Sequence, residues 1–301
     1  EKDFVSGLSA LRQAVTFFPT NVEARVVSKR MINEFSSIYT DGTADSMTPL
    51  TALSLYDQFR ELTPVGRRGD RIIERLADRL VEVDLLDRAS VLLDRQVKFR
   101  LRGKQKAMVG SKLALIRLLD RQPKMALDAL NESVSPGLDS GLALERKRLR
   151  SRSVFELGDS ESALKLIKND SSRKADLLRA DIYWRTQDWQ RSALIYKRLI
   201  GETGKDGRRL SDLSATLVVN WVVSLSMNGQ KDQLNEARQV YASMMDSTRY
   251  REAFRLITNK TAEDLQDFRT LTERFQEIGR FQGFLTSYRE KLRDQPLSKI
   301  Q

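Results

Sequence analysis

Cysteine and histidine are both absent from this sequence, which removes most of the side chains that carry out covalent and metal chemistry. No thiolate nucleophile, disulfide, Cys/His zinc site or iron–sulfur cluster can be built. A Ser-His-Asp triad and an HExxH metal site are excluded outright. Carboxylates, amines and phenols remain. Asp84 and Asp87 are neighbouring carboxylates, but they sit at a turn between two helical stretches, where helix capping explains them. Gly201-Glu-Thr-Gly204-Lys205-Asp206 faintly echoes a phosphate-binding loop. Its spacing is too short, an Asp stands where Ser or Thr would hold magnesium, and no strand precedes it, so it reads as a plain loop. No constellation supports acid–base catalysis, and no catalytic, cofactor or metal residue is assigned.

Charge is the stronger signal. The chain carries 52 Lys and Arg against 41 Asp and Glu, a formal net charge of +11. Between Arg95 and Leu119 lie Arg95, Lys98, Arg100, Arg102, Lys104, Lys106, Lys112 and Arg117 with no acid among them. A second run, Arg146 to Arg152, adds Arg146, Lys147, Arg148, Arg150 and Arg152, and together the thirteen cations exceed the whole surplus. Such a concentration attracts an acidic peptide, a polyanion or an anionic membrane surface. Nucleic acid is disfavoured, because the two clusters contain only Phe99 where stacking aromatics would be interleaved. The candidate partner-binding residues are therefore Arg95, Lys98, Arg100, Arg102, Lys104, Lys106, Lys112, Arg117, Arg146, Arg148 and Arg152.

The elements that position these cations are visible as a spacing. A small residue recurs twelve positions before an alanine or serine in Ala77/Ala89, Ala114/Ala126, Ser151/Ala163 and Ala180/Ser192, and Ala52 extends the alanine series. A repeat near thirty-seven residues, each unit reading as two helices, indicates a helical array. In Ala175–Ile200, Leu177, Ala180, Tyr183 and Trp184 share one helical face. After a break at Thr186–Asp188, a second helix presents Ser192, Tyr196 and Leu199. Gly158 and Gly229 mark turns, Asp159 or Ser160 can cap the helix that follows, and Pro123 suits the start of another. Trp184, Trp189 and Trp221 read as packing residues.

Ala180, Tyr183, Ser192 and Tyr196 resemble the tetratricopeptide repeat, with a small residue, an aromatic three later, a small residue twelve on and an aromatic four after that. The resemblance spans roughly residues 50 to 245; the period is longer than the family's, and Leu or Ile often replaces the aromatics. It implies an all-α, right-handed α-solenoid of antiparallel helix hairpins in which the first helices of successive units line a concave groove, bringing Lys112, Arg117, Arg148 and Arg152 towards a ligand. Glu161-Ser162 resembles the Glu-Ser pair of lytic transglycosylases, yet it falls in a hairpin turn and no catalytic domain accompanies it.

Three regions are expected: an N-terminal helical pair and loop (1–49), the repeat array (50–245) and C-terminal capping helices (246–301), with Thr261–Asp294 a charged helix and Gly201–Arg209 irregular. The chain opens on Glu1 directly into a helix, as expected of a fragment of a longer, bacterial protein. No apolar run reaches the roughly 18 residues that cross a bilayer. The expected function is a non-enzymatic protein–protein interaction scaffold that holds a peptide or partner protein, acidic ones included, in the groove. One alternative is a polyanion- or nucleic-acid-binding module using the clusters at 95–117 and 146–152, and a second is an auxiliary domain of a larger enzyme. Compartment, periplasmic or cytoplasmic, stays open, as does the oligomeric state.

Overall fold

The computed structural model describes residues 4–17, 22–201 and 209–259, and every regular element among them is helical. The helices are α1 (Phe4–Phe17), α2 (Val22–Thr40), α3 (Pro49–Gln58), α4 (Arg67–Glu82), α5 (Leu86–Phe99), α6 (Gly103–Leu119) and α7 (Pro123–Glu132). They continue with α8 (Ser140–Glu156), α9 (Ser160–Leu166), α10 (Arg173–Arg185), α11 (Trp189–Ile200), α12 (Asp212–Met227), α13 (Lys231–Met245) and α14 (Arg251–Asn259). Short 3-10 turns occupy Thr43–Ser46 and Arg60–Leu62. No helix among the described residues is long and apolar enough to cross a membrane.

Local chemistry starts and stops these helices. Thr48, Asp159, Ser172, Asp188 and Ser211 each accept the backbone N–H three residues on, satisfying an amide that the first helical turn leaves unbonded. Helix ends use one repeated device. Asp84, Arg121, Gly158, Gln187 and Gly229 all take left-handed backbone, with φ of 61°, 57°, 97°, 59° and 68°. At each, the turn residue's amide donates to the carbonyl three back and the next amide donates to the carbonyl five back, as Leu85 does to Leu80 and Asp159 to Val154. This closes two orphan carbonyls and folds the chain back into the next helix. The five turns recur at steps of 37, 37, 29 and 42 residues. Asp84 is thus the turn residue itself; Leu85 precedes α5 and contributes no side-chain cap.

The small-residue pairs are all interior. Ala52, Ala77, Ala89, Ala114, Ala126, Ser151, Ala163 and Ser192 are fully buried, and Ala180 is 1% exposed. Ser151 Oγ donates to the Ala163 carbonyl at 2.7 Å, so this pair is bonded directly across two helices. Helices α6 and α7 also approach closely at Gly110 in α6, where an added Cβ would lie 2.0 Å from Ser133 Oγ and 2.3 Å from its Cβ. A side chain there cannot be accommodated without moving α7.

The chain divides into two compact units between Leu149 and Arg150, inside α8. In the first, α4 packs on α5, α5 on α6 and α6 on α7, while α2 contacts α4 across residue 49. In the second, α10 packs on α11, α11 on α12 and α12 on α13, and α14 contacts both α12 and α13 across residue 245. The flanking helices α2 and α14 bury apolar residues such as Phe35 and Phe254 against the helices beside them. The second unit's core joins Trp184, Tyr196, Val218, Trp221, Tyr241 and Phe254. Trp184 meets Trp189 edge-on at 5.3 Å and Tyr196 at 6.0 Å, and Trp221 meets Tyr241 at 6.2 Å, the tilted geometry that aromatic quadrupoles favour.

Candidate functional site

The eleven cations singled out by the sequence separate into two populations. Arg95, Lys98, Arg102 and Lys104 are exposed, and Lys106 is half-buried. Lys112, also half-buried, is close enough to the Glu74 carboxyl to influence its ionisation. Arg100 pairs with Asp70 at 2.9 Å and donates to the Pro64 carbonyl at 2.6 Å. The remaining four are drawn inward. Arg117 is 8% exposed and donates to Gln122 Oε1 at 2.7 Å; Arg148 and Arg152 are 6% and 2% exposed. Arg146 is enclosed by α6 and α7. Arg117, Arg148 and Arg152, which the tetratricopeptide resemblance would turn towards a groove, are buried in the packing.

The reason lies at the helix ends. A helix leaves its last carbonyls unpaired and carries partial negative charge there, so a guanidinium with several donors in a planar fork is a fitting cap. Arg146 Nη2 donates to the Leu130 carbonyl at 2.6 Å at the end of α7, and its Nη1 to the Ala107 carbonyl at 2.7 Å. The hydroxyls of Ser111 and Ser133 complete its shell at 3.1 and 3.2 Å. Arg75 reaches the Tyr39 and Thr40 carbonyls that end α2, and Arg173 the Leu199 carbonyl near the end of α11. Arg179 gathers the carbonyls of Ile167, Lys168 and Asp170 beyond α9. Four arginines, Arg75, Arg146, Arg173 and Arg179, thus tie helix ends to other helices of the chain.

One polar cluster in the second unit is more than a cap. Arg152 on α8 bonds Asp181 on α10, and also pairs with Glu156 at 2.6 Å. Arg185 on α10 returns to Glu156 through both nitrogens, at 2.8 and 3.3 Å, and lies 4.4 Å above the Phe155 ring. Burial works against the Glu156 carboxylate, yet the Arg185 and Arg152 guanidiniums outweigh it and hold its pKa below the usual carboxylate range. Burial pushes the Tyr196 hydroxyl well above its ordinary pKa, helped by the Asp181 charge, and Asn220 on α12 donates to that hydroxyl at 3.4 Å. Arg152 is enclosed, whereas Glu156, Asp181 and Arg185 keep 20%, 21% and 36% of their side chains in contact with solvent. Glu156 and Arg185 thus present charges of both signs at a surface, while burial pushes the Asp181 carboxyl above its ordinary pKa against the pull of Arg152 and Arg185.

Only Arg152 of this cluster was a sequence candidate. The signal for the rest is in the repeat register. Arg152 and Asp181 each stand six residues before their left-handed turn residues, Gly158 and Gln187, and Glu156 and Arg185 each stand two before. Opposite charges at equivalent positions of consecutive units face each other. A search for cations alone passes over that pairing.

Glu161 and Ser162 lie exposed in the first turn of α9, where the Ser162 amide is held by Asp159. The Gly201–Asp206 loop is described only at Gly201, and Thr261–Asp294 lies outside the described residues. No protein-family model and no curated protein matches the chain.

Proposed function

We propose that this chain is a tetratricopeptide-like, right-handed α-solenoid of antiparallel hairpins from a bacterial protein, and that it acts as a non-enzymatic scaffold for a peptide or partner protein. The observation that carries this reading is the left-handed turn repeated five times with the same two hydrogen bonds, joined to small-residue pairs buried between helices. Units built alike stack alike, and stacked first helices present a row of side chains that a partner can read. On the second unit that row holds Arg185, Glu156 and Asp181, rigid because Arg152 and Phe155 support them from beneath. Fixed charges of both signs suit a polar peptide better than a uniform polyanion, since they discriminate by position.

The test uses the 301-residue chain as bait at physiological salt beside its Arg185→Glu variant. One partner should be enriched by the wild type, should cross-link to α10, and should be lost with the variant while the helical signal is unchanged. A partner retained equally by both, or no enriched partner, overturns the assignment of this row as the binding surface.

A further inference from the structure

A second surface, in the first unit, carries features the groove reading does not use. Three apolar side chains stand at the loops that join one helix pair to the next: Val65 before α4, Phe99 at the end of α5 and Val134 after α7, exposed to 94%, 82% and 69%. They share one edge, because bonds beside them stitch the loops together. Arg100 donates to the Pro64 carbonyl at 2.6 Å, Lys98 reaches Glu132 at 3.7 Å, and Lys104 pairs with Asp139 at 2.9 Å. At Gly69 an added Cβ would fall 1.9 Å from the Pro64 carbonyl oxygen and 2.5 Å from Arg100 Nη2, so the bare glycine leaves room for Arg100 of the second loop to reach the first.

The charge around these tips is one-sided. Segments 63–71, 98–106 and 131–139 hold eight basic residues against three acidic ones. Each of those acids, Asp70, Glu132 and Asp139, already pairs with a cation of a neighbouring loop. Five positive charges remain over, among them the exposed Arg67 and Arg102.

We infer that this edge docks on an anionic lipid surface, with Phe99, Val65 and Val134 entering the headgroup–acyl boundary and the cations resting among the phosphates. Single apolar side chains at separate loop tips, each beside cations, suit an interface whose depth is set by the lipid. An acidic protein partner would need a contiguous apolar contact between the charges, and a nucleic acid would need stacking aromatics along its path. Phe99 is the only aromatic in the three segments.

Co-sedimentation of the whole chain with vesicles tests this. The wild type should sediment with phosphatidylcholine vesicles containing roughly one-third phosphatidylglycerol, and should stay in solution with pure phosphatidylcholine. Phe99→Ser should weaken vesicle binding about five- to tenfold while leaving retention of duplex DNA unchanged, since only the lipid offers an apolar phase to the ring. Arg102→Glu combined with Lys104→Glu should abolish sedimentation. Both sites are exposed, and circular dichroism checks that the helices survive. Failure of the wild type to sediment overturns the proposal. So does a Phe99→Ser chain that binds the anionic vesicles as tightly as the wild type, which would mark a surface for soluble polyanions or acidic proteins.

Discussion

Arg146 decides between the two roles that a cation on a helix can have. A surface Arg waiting for a ligand can be truncated at a cost within about 0.5 kcal/mol, whereas an Arg that holds helix ends cannot. Leu130 accepts from Arg146 Nη2 at 2.6 Å, and the amides of Ser133 and Val134 turn to Asn131 instead. Arg146→Ala leaves the Leu130 carbonyl without that donor in a half-buried place, which costs about 1–3 kcal/mol. Loss of the contacts to Ala107, Ser111 and Ser133 adds about 0.5 kcal/mol each. The expected destabilisation is about 3 kcal/mol, equivalent to roughly 6–12 °C in Tm for a unit of this size. Urea unfolding followed by circular dichroism reads it as a fall in midpoint at unchanged slope. Arg146→Lys, which keeps the charge but not the fork, should recover part of the loss, and Arg102→Ala should behave as a neutral control. A midpoint shift below about 1 kcal/mol for Arg146→Ala refutes the reasoning, and with it the account of where the basic charge goes.

Three further outcomes are expected. Gly110→Ala drives a methyl into Ser133 and should destabilise the first unit by about 2–3 kcal/mol; adding Ser133→Gly should relieve part of that strain in the same unfolding assay. Arg152→Ala removes the cation between Asp181 and Glu156 and should cost about 3–5 kcal/mol, while the paired change Arg152→Met with Asp181→Leu should cost much less because no charge is stranded. Glu74 has its pKa pushed up to about 7 by burial, with Asp70 and Asp78 adding to the rise and Lys112 and Gln96 opposing it. A carboxyl whose folded pKa exceeds its unfolded one is most favourable below the unfolded value, so its contribution is lost as pH climbs from about 4.5 to 7. Glu74→Gln should therefore leave stability unchanged near the bottom of that window and raise it by about 3 kcal/mol above the top; an equal effect at both ends would sink the assignment.

The repeat frame was legible because it rests on local demands. A left-handed residue is needed to turn one helix into the next and a small residue is needed where two helices touch, and at the first four turns the small residues stand seven before and five after the turn residue, whatever lies elsewhere in the chain. Gly158 and Gly229 declared their turns openly. Arg121 hid one, since a non-glycine in left-handed backbone carries no compositional mark. The mixed-charge cluster was only partly visible: Arg152 stood out in a basic run, but Asp181 lies at the same register of the next unit and Glu156 one turn on in the same helix, so neither had reason to be read with it.

By itself the sequence determined the all-helical class, the helix pairs, the turns between most of them and the burial of the small-residue pairs. Only the tertiary structure decided which way each cation faces. Lys104 and Arg146 sit in similar basic runs, yet one pairs with Asp139 at the surface and the other reaches a carbonyl 39 residues away. A side chain's charge is a property of the residue, but its partner is a helix end or a carboxylate that folding brings from another unit, and no local pattern records that meeting.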